Sequence, residues 1–382
     1  MKIVHICLCG LFTDGFNYQD NLITKYHRQM GFDVTVIASQ WVWDEGSAKQ
    51  VQVDPYVNED GVKVIRIPNR IGNVNSKLKL YKGLYCVIDG EKPDVIFLHN
   101  FQFLDALTVR KYVKQHRVKW YVDNHSDYSN SATNWLSKTL MHKLLWRFVA
   151  ARIQPYVTRF YGVLPARVDF LKDVYKLPAE KCELLEMGAD DELVDQAARP
   201  DAIRALRERY GISENDFFIV TGGKIDRFKM QTLLLMQAVK ELADTLPVKL
   251  LVFGSIDDSL KSQADALVDG NAVQYIGWIR ATDSYDYFAA ADLVVFPGRH
   301  SVFWEQVVAQ GIPMICKQWS GTTHVDIGGN VLFLQEDSKE EIAGVLFDLL
   351  ASPQRYAQMK AAAKQDANRF LYSDIAKRAI LP

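Results

Sequence analysis

Two glycines and two lysines form the first group of residues that could bind a ligand. Gly222 and Gly223 follow a predicted strand and precede a predicted helix. The amides of such a turn and a helix N-terminus attract phosphate, and Lys224 and Lys229 can each neutralise a phosphate oxygen. The pattern is neither G-x-G-x-x-G nor a P-loop. On its own, an ordinary turn with two surface lysines is therefore an open alternative.

A second group, Arg299, His300, Ser301 and Glu305, lies just past the predicted strand 293–296. Ligands of open α/β sheets bind outside the carboxyl ends of the strands. The first three side chains offer hydrogen-bond donors to oxyanions or sugar hydroxyls. Glu305 follows about one helical turn later, where it could accept hydrogen bonds from ribose hydroxyls. The alternative is that Ser301 caps a helix and Glu305 faces solvent.

A third group, Asp123, His125 and Asp127, follows the predicted strand 120–122, and His99 follows the predicted strand 94–98. A histidine with nearby carboxylates at a strand end can act as a general base or bind hydroxyls, although a lone histidine can equally be structural. Four aromatic residues could stack on sugars or belong to the core and interfaces: Tyr128, Trp135, Trp278 and Trp304. The motifs H-E-x-x-H, G-x-S-x-G and C-x-x-C do not occur, which argues against a hydrolase triad and a structural metal.

The elements that must position these groups come in two successive series. Apolar, β-branched runs alternate with helical stretches, which predicts α/β domains with parallel sheets covered on both faces. The predicted strands lie at 3–9, 33–38, 62–67, 94–98 and 120–122, then at 217–221, 249–253, 273–276 and 293–296, with helices at 21–30 and 230–242. We therefore predict two Rossmann-like domains facing a cleft.

The boundary between the domains falls in the polar stretch 189–214, which includes Pro200. We predict a first domain over 1–196 and a second over 197–365. The last helical segment, about 366–382, is expected to pack back on the first domain.

Composition limits the class of protein. The 382 residues include 48% hydrophobic and 24% charged residues, with a formal net charge of −1. These values are typical of a soluble globular protein and exclude collagen, long disorder and a globally basic nucleic-acid binder. Five cysteines without a C-x-x-C pair indicate a reducing compartment. The N-terminus predicts a first strand rather than a signal peptide, and no apolar run reaches the ~18 residues of a spanning helix. We predict a cytoplasmic protein.

Two stretches, 61–88 and 128–168, carry several basic residues and no acidic residue. The second also contains apolar residues at helical spacing: Leu136, Leu140, Leu144, Leu145 and Phe148. A helix with one apolar and one basic face can lie on anionic lipid at the inner face of the cell membrane or meet an anionic substrate. An ordinary core-packed helix is the main alternative, and nucleic-acid binding is a third.

At these residues the chain resembles glycosyltransferase family 4, also called group 1, over nearly its whole length. The matching segments of the first half are the loop from Gly10 to Gly15, GFDVTVIAS at 31–39, KPDVIFLHN at 92–100, YVDNHSD at 121–127 and KLPAEKCELLEMGADDE at 176–192. Those of the second half are GGKIDRFK at 222–229, LLVFGS at 250–255, VQYIGWI at 273–279 and WEQVVAQGIPMICK at 304–317. The resemblance implies the GT-B architecture, with two Rossmann-like domains and a cleft between them.

The resemblance also implies roles for single residues. It implies His125, Asp127, Lys224 and Lys229 as the catalytic group, with His125 beside the donor sugar and the lysines on its phosphates. The implied donor-binding residues are Gly15, Gly223, Trp278, Arg299, His300, Ser301 and Glu305. In this pattern Trp278 follows the strand that leads to the nucleobase, and Glu305 holds the ribose.

The chain departs from the family's Glu-x7-Glu pattern. Glu305 matches the second glutamate, but Pro297 stands eight residues earlier and the loop between them is about four residues shorter. The first glutamate normally contacts the transferred sugar, so Arg299, His300 or Ser301 must serve here, or sugar turnover is lost.

The resemblance implies a retaining glycosyltransferase of the hexosyltransferase type. Its donor would be a UDP- or GDP-linked sugar, and its acceptor an oligosaccharide or a lipid-linked saccharide in bacterial cell-surface polysaccharide synthesis. Neither a cofactor nor an obligatory metal is expected, and neither is a nucleic-acid partner. The missing glutamate keeps open the alternative of a catalytically silent GT-B subunit that binds nucleotide or sugar and scaffolds a partner transferase. A sugar-nucleotide epimerase of the same architecture is a third alternative.

Overall fold

The computed structural model describes residues 1–44, 46–72, 76, 78–128, 131 and 137–380. The chain divides into two units, Met1–Met187 with Tyr372–Pro382, and Gly188–Leu371. The first unit thus ends at Met187, where the sequence analysis places the boundary at 196. The helices that form in the polar stretch 189–214 lie in the second unit.

The first unit contains an eight-stranded sheet and two short hairpins. Its strands are β1 (Lys2–Cys7), β2 (Asp33–Ser39), β3 (Trp41–Asp44), β4 (Ser47–Gln50), β5 (Tyr56–Val57), β6 (Lys63–Ile67), β7 (Asn69–Ile71), β8 (Leu80–Tyr81), β9 (Val95–Leu98), β10 (Lys119–Asn124), β11 (Arg159–Gly162) and β12 (Cys182–Leu184). Its helices are α1 (Gln19–Gln29), α2 (Leu84–Glu91), α3 (Ala106–His116), α4 (Arg147–Ile153) and α5 (Pro165–Asp173). A π-helical stretch, Ser137–Trp146, runs into α4.

The strand order of this sheet is β12-β11-β10-β9-β1-β2-β6-β5, and only β5 is antiparallel to its neighbour. The central register places Ile3 opposite Val34 on one side and Val95 on the other. Strands β1, β2 and β9 are buried along nearly their whole length, because helices cover both faces of a parallel sheet. The carboxyl ends of β1, β9 and β10 therefore meet at one edge.

The second unit contains a six-stranded, all-parallel sheet in the order β15-β14-β13-β16-β17-β18. Its strands are β13 (Phe217–Gly222), β14 (Val248–Phe253), β15 (Val273–Tyr275), β16 (Leu293–Phe296), β17 (Met314–Lys317) and β18 (Val331–Leu334). Its helices are α6 (Asp191–Ala197), α7 (Pro200–Arg209), α8 (Gln231–Leu242), α9 (Asp258–Asp265), α10 (Ser284–Ala290), α11 (Phe303–Ala309), α12 (Lys339–Leu350) and α13 (Pro353–Gln365). Here the ends of β13, β14 and β16 share one edge.

The C-terminal helix, α14 (Tyr372–Ile380), belongs to the first unit. Its buried residues Tyr372 and Ile375 share one core with Leu22 and Ile23 of α1. A 3-10 turn at Ala367–Phe370 separates α14 from α13, so the predicted segment 366–382 forms an α-helix only from Tyr372 onwards.

Candidate functional site

The turn after β13 is built from glycines because backbone meets backbone there. A Cβ at Gly254 would collide with the carbonyl group of Gly223, and a Cβ at Gly222 would collide with the ring of Phe253. Gly223 and Gly254 also have φ angles of +119° and +121°, which L side chains rarely adopt. The Gly223 N–H donates to the Phe253 carbonyl at 3.1 Å. The glycines therefore let the ends of β13 and β14 touch.

Lys229 lies between this turn and the loop after β16. A Cβ at Gly223 would lie 3.7 Å from its Nζ, and a Cβ at Gly298 would lie 3.3 Å from its Cα. Burial lowers the pKa of the Lys229 ammonium group, while Asp226 opposes that shift. An anionic ligand would offset the loss of solvation. Lys224, in contrast, is exposed and places its Nζ 3.7 Å from Asp226 Oδ2.

Arg299 and Ser301 occupy different positions in the loop after β16. The Arg299 guanidinium lies 4.5 Å from the ring centroid of the exposed Phe228. Ser301 is half-buried, and it does not cap α11, whose N-cap is Val302 with no capping side chain. The Trp319 indole N–H donates to the Gly298 carbonyl at 3.2 Å, which holds the loop beside Lys229.

Glu305 is fully buried between two imidazoles. Its Oε1 is 2.9 Å from His300 Nε2 and 2.9 Å from His324 Nε2, and both rings donate to the carboxylate. Burial alone would raise the pKa of Glu305, but His300 and His324 lower it to about 2. The Glu305 carboxyl group is buried, whereas the helix-cap alternative placed it in solvent. His324 is a residue that sequence reasoning missed.

The same three residues can also be judged as metal ligands. The ligand atoms of His300, Glu305 and His324 lie within 4.8 Å of one another, which is close enough for a divalent cation. An imidazole bound through Nε2 usually donates its other N–H to an acceptor. His324 Nδ1 is buried and has no hydrogen-bond partner among the described residues. In the structure, the Nε2 atoms of His300 and His324 instead donate hydrogen bonds to Glu305 Oε1.

Trp278 is the exposed aromatic residue of the second unit's predicted donor site. It follows Gly277, whose φ is +78°, and 73% of its surface is exposed. A ring held this far into solvent can stack on a planar ligand. Trp304, in contrast, is fully buried, and Trp135 lies outside the described residues.

In the first unit, the Asp123 carboxylate lies beside His125. Asp123 Oδ2 lies 3.0 Å from His99 Nδ1 and 3.5 Å from His125 Nε2, and Oδ1 accepts the Asn100 N–H at 2.8 Å. The side chain of His125 is one-third exposed, whereas Asp123 is fully buried. Burial raises the pKa of Asp123, but His99 and His125 lower it well below the usual range. The edge of the sheet thus holds an ionised carboxylate that orients an accessible imidazole.

Asp127 and Gly15 are the remaining predicted site residues of the first unit. Asp127 is buried, and its Oδ2 accepts from Arg167 Nε at 3.0 Å. Gly15 is exposed, has a φ of +74°, and faces Glu59: a Cβ there would lie 3.6 Å from its Oε1. Asp123 directly follows the predicted strand 120–122 and precedes His125 by two residues, so its position beside that imidazole agrees with their grouping in the sequence.

The two basic stretches differ in the structure. Several cations of 61–88 have internal partners: Lys63 pairs with Glu91, Arg66 with Asp14, and Lys79 donates to the Cys9 carbonyl. In the second stretch an apolar stripe is exposed next to cations, and it comprises Leu140, Leu144 and Phe148 beside Lys143, Arg147 and Arg152. Lys77, Leu136 and the side chain of Lys138 lie outside the described residues.

No helix among the described residues is long and apolar enough to cross a membrane.

Two family models match separate parts of the chain. The model of glycosyltransferase family 4 matches residues 20–193, and that of group 1 glycosyl transferases matches residues 202–366. A curated relative, D-inositol 3-phosphate glycosyltransferase 1 of Catenulispora acidiphila, is 25% identical over 229 residues, which are 56% of this chain and 53% of the relative. The chain thus matches about half the length of that relative.

Solved structures share the fold over the whole chain. Alr3699/HepE of Anabaena in complex with UDP has a TM-score of 0.68 and 17% identity, covering 99% of this chain and 98% of that one. The UDP-GlcNAc 2-epimerase of Neisseria meningitidis bound to UDP-GlcNAc has a TM-score of 0.62 and 11% identity, covering 99% and 98%. At these identities the likeness concerns the fold.

The fold and family expected from the sequence are therefore confirmed. The two matched segments together cover most of the chain, in the order that the motifs indicate. The chain belongs to the group 1 glycosyltransferases of family 4, with the α/β GT-B fold.

Proposed function

We propose that this chain is a retaining glycosyltransferase that transfers a sugar from a UDP- or GDP-linked donor to a hydroxyl of a saccharide acceptor. The observation that carries this proposal is the position of Lys229, half-buried between the glycine turn at Gly223 and the loop at Gly298, in a chain of this family. The UDP bound by Alr3699/HepE and the transferase activity in the curated relative's name support a nucleotide-sugar donor.

The donor diphosphate would bind at the carboxyl ends of β13 and β16. The leaving nucleoside diphosphate gains negative charge as the glycosidic bond breaks, and a preorganised cation stabilises that charge. Lys229 suits this role because burial has already removed part of its solvation. The leaving phosphate then takes the proton of the acceptor hydroxyl on the same face of the sugar, which retains the configuration.

His300 would contact donor hydroxyls in place of the missing glutamate. Glu305 is fully buried, and its Oε1 orients the more exposed His300 ring through the 2.9 Å hydrogen bond. Arg299 and Ser301 are the sequence neighbours of His300, and Trp278 would stack on the nucleobase. In the first unit, we propose that His125, oriented by Asp123, binds a sugar hydroxyl, while Asp127 holds its segment through Arg167.

Transfer would proceed without a resident metal, because Lys229 and the backbone amides of residues 298–302 supply the positive potential that a cation otherwise provides. The lack of an acceptor for His324 Nδ1 among the described residues supports this proposal. An EDTA-treated sample should therefore keep its activity, and metal analysis by mass spectrometry should find no stoichiometric ion. Activity restored only by a divalent ion would contradict the proposal.

The acceptor would be an oligosaccharide or a lipid-linked saccharide of bacterial cell-surface polysaccharide synthesis, met at the cytoplasmic face of the membrane. The exposed stripe of Leu140, Leu144 and Phe148 beside three cations supports a peripheral contact with anionic lipid. The protein should sediment together with phosphatidylglycerol vesicles at low salt and dissociate from them at high salt. The double variant Leu144→Ser/Phe148→Ser should lose this binding, whereas Phe347→Ser, which alters an exposed phenylalanine of α12, should keep it.

The alternative of a silent scaffold has one specific observation in its favour. Pro297 stands where the family carries its first glutamate, and the remaining Glu305 is fully buried between two histidines. Such a chain would bind nucleotide without turning over the sugar.

The deciding experiment is calorimetry of the full chain against UDP, GDP, ADP and their common sugar conjugates, followed by donor hydrolysis. Ligand at 100 times its Kd should stabilise the chain by about 2.7 kcal/mol. Tight binding of one nucleotide with slow release of free sugar supports the transferase. Binding without any sugar release supports the scaffold, interconversion of two nucleotide sugars supports an epimerase, and no binding across the panel contradicts the proposal.

A further inference from the structure

Three buried histidines of the first unit form one continuous hydrogen-bonded chain. His27 Nε2 lies 2.7 Å from the Ala376 carbonyl oxygen, and His27 Nδ1 lies 2.9 Å from His5 Nε2. His5 Nδ1 in turn lies 3.0 Å from His99 Nε2, and His99 Nδ1 lies 3.0 Å from Asp123 Oδ2. His5 and His27 are fully buried and His99 is nearly so. The chain therefore runs from α14 through α1, β1 and the end of β9 to Asp123.

The number of protons that this hydrogen-bonded series of histidines requires can be counted. Each of its four hydrogen bonds needs one proton between the paired atoms. The Ala376 carbonyl group can only accept, and so can the ionised Asp123 carboxylate. Three neutral imidazoles supply one N–H each, which leaves one of the four bonds without a proton. Two bare nitrogen lone pairs facing each other in a dry interior would repel. The geometry thus calls for a fourth proton.

We propose that the chain of His27, His5 and His99 holds one excess proton, and that this proton keeps Asp123 ionised and thereby positions His125. His27 must donate to the Ala376 carbonyl through Nε2, so its Nδ1 accepts from His5, and His5 Nδ1 accepts from His99. His99 then carries N–H groups on both nitrogens and is an imidazolium. The histidines act as positioning residues, because Asp123 lies between them and His125.

The surrounding charges favour the excess proton on His99. Asp123 on β10 faces His99 directly, and Asp20 on α1 adds a second negative charge near it. These carboxylates raise the pKa of His99 against the effect of burial. Burial and the neighbouring imidazoles lower the pKa of His5 well below its ordinary value, and burial lowers that of His27 to about 4. His125, on the loop after β10, faces the other side of the Asp123 carboxylate.

The arrangement gives α14 a role beyond packing. The Ala376 carbonyl group fixes the direction of every hydrogen bond in the chain, because it is an acceptor at the end opposite to Asp123. Without that acceptor the chain could reverse: His5 could donate to His99, and a neutral His99 could donate to Asp123. The C-terminal helix therefore sets the protonation of a group at the carboxyl edge of the sheet.

The proposal can be tested by long-range ¹H–¹⁵N correlation spectra of the full chain labelled at histidine, with assignments from single variants. At neutral pH, His99 should show both ring nitrogens protonated, while His5 and His27 should each show protonated Nε2 and bare Nδ1. Three neutral rings, or an imidazolium at His5 or His27, would overturn the proposal. The spectrum reports protonation alone, so its outcome does not depend on whether the chain transfers sugar.

Two substitutions of His27, which hydrogen-bonds to the Ala376 carbonyl group, separate the proton count from packing. In His27→Gln, the amide can donate to Ala376 and accept from His5, so the direction persists and the imidazolium signal of His99 should stay. In His27→Leu the direction is no longer imposed, so His99 should lose its second proton at a lower pH than in His27→Gln. If His99 titrates identically in both variants, the helix does not set its protonation and the proposal fails.

Asp123→Asn gives the second and independent test. The new amide can still accept from Asn100 and can itself donate to His99 Nδ1, which supplies the fourth proton. The rings of His5, His27 and His99 should then all be neutral with protonated Nε2 atoms, and the hydrogen bonds between them should remain. Persistence of the imidazolium signal in Asp123→Asn would overturn the proposal. His116→Gln, at a half-exposed histidine of α3, serves as the control and should leave these signals unchanged.

Discussion

The two sheet edges hold similar carboxylates in different surroundings. Asp123 and Glu305 are both fully buried, and each faces one buried imidazole and one that is more exposed: His99 and His125 for Asp123, His324 and His300 for Glu305. In both places the imidazoles lower the pKa of a carboxyl group that burial alone would raise. The pairing keeps a negative charge inside each unit.

The difference lies in what satisfies the remaining polar atoms. Asp123 also accepts the Asn100 N–H, and its buried partner continues into a chain of further histidines. At the other edge, Glu305 Oε2 and His324 Nδ1 have no hydrogen-bond partner among the described residues. An unsatisfied buried acceptor is unfavourable until a ligand or water donates to it. The comparison thus separates a carboxylate with hydrogen-bond partners on both oxygens from one that keeps an oxygen without a partner among the described residues.

The largest expected effect is a loss of stability caused by a substitution in the glycine turn at the sheet edge of the second unit. Gly254→Ala places a Cβ against the Gly223 carbonyl group at a φ of +121°. We expect a loss of roughly 2–4 kcal/mol in unfolding free energy, from steric overlap and backbone strain. The measurement is urea denaturation followed by circular dichroism.

Gly270→Ala is the matched control for that variant. Gly270 has a φ of +74°, but a Cβ there would meet nothing within 4 Å. Only the strain of about 1–2 kcal/mol should remain. Equal losses for Gly254→Ala and Gly270→Ala would show that the close approach of β13 and β14 does not restrict residue 254.

The next effect concerns the charge of Glu305. A folded-state pKa lowered from 4.5 to about 2 means that the folded chain favours the carboxylate, so this stability is present above pH 4.5 and lost as the pH falls towards 2. The shift corresponds to about 3 kcal/mol as an order of magnitude. Unfolding free energies measured across this range should fall less steeply in Glu305→Gln than in the original chain. Parallel curves would show that the two imidazoles do not stabilise the charge.

The comparison also shows what the sequence could predict. Apolar runs located most of the long parallel strands, because a strand buried on both faces has no polar positions to obscure it. The glycine turn after β13 could be located for a similar reason, since strand ends and turn glycines are local signals. The short hairpins were missed, as were β11, β12, β17 and β18, whose runs are only three or four residues long or less regular.

Contacts between distant residues could not be predicted. His27 meets Ala376 across 349 positions, and His5 meets His99 across 94. No local pattern relates these residues, since only the sheet order and the packing of α14 bring them together. The ion pairs of the basic stretch 61–88 could not be predicted for the same reason: Arg66 pairs with Asp14, which lies 52 residues away.

A smaller effect should follow from removing the Lys229 ammonium group at the sheet edge of the second unit. Lys229→Ala should weaken nucleoside diphosphate binding by roughly 1–3 kcal/mol, the range of a charge-assisted hydrogen bond. Lys261→Ala on α9 changes an exposed lysine and should bind as the original chain does. Calorimetric titration of both variants checks this prediction. An unchanged affinity in Lys229→Ala would remove this lysine from the donor site.

The smallest expected effect is at Trp278, and it distinguishes ligand binding from stability most sharply. Because 73% of its surface is exposed, Trp278→Ala should change the unfolding free energy by less than about 0.5 kcal/mol. If the ring stacks on the nucleobase, the same variant should lose roughly 1 kcal/mol of nucleotide affinity. Trp43→Ala, at an exposed tryptophan of the first unit, should change neither quantity. Calorimetric affinity together with thermal midpoints measures both effects. An affinity loss restricted to Trp278→Ala would place the base beside this residue, whereas equal affinities in both variants would move the base-binding surface elsewhere in the second unit.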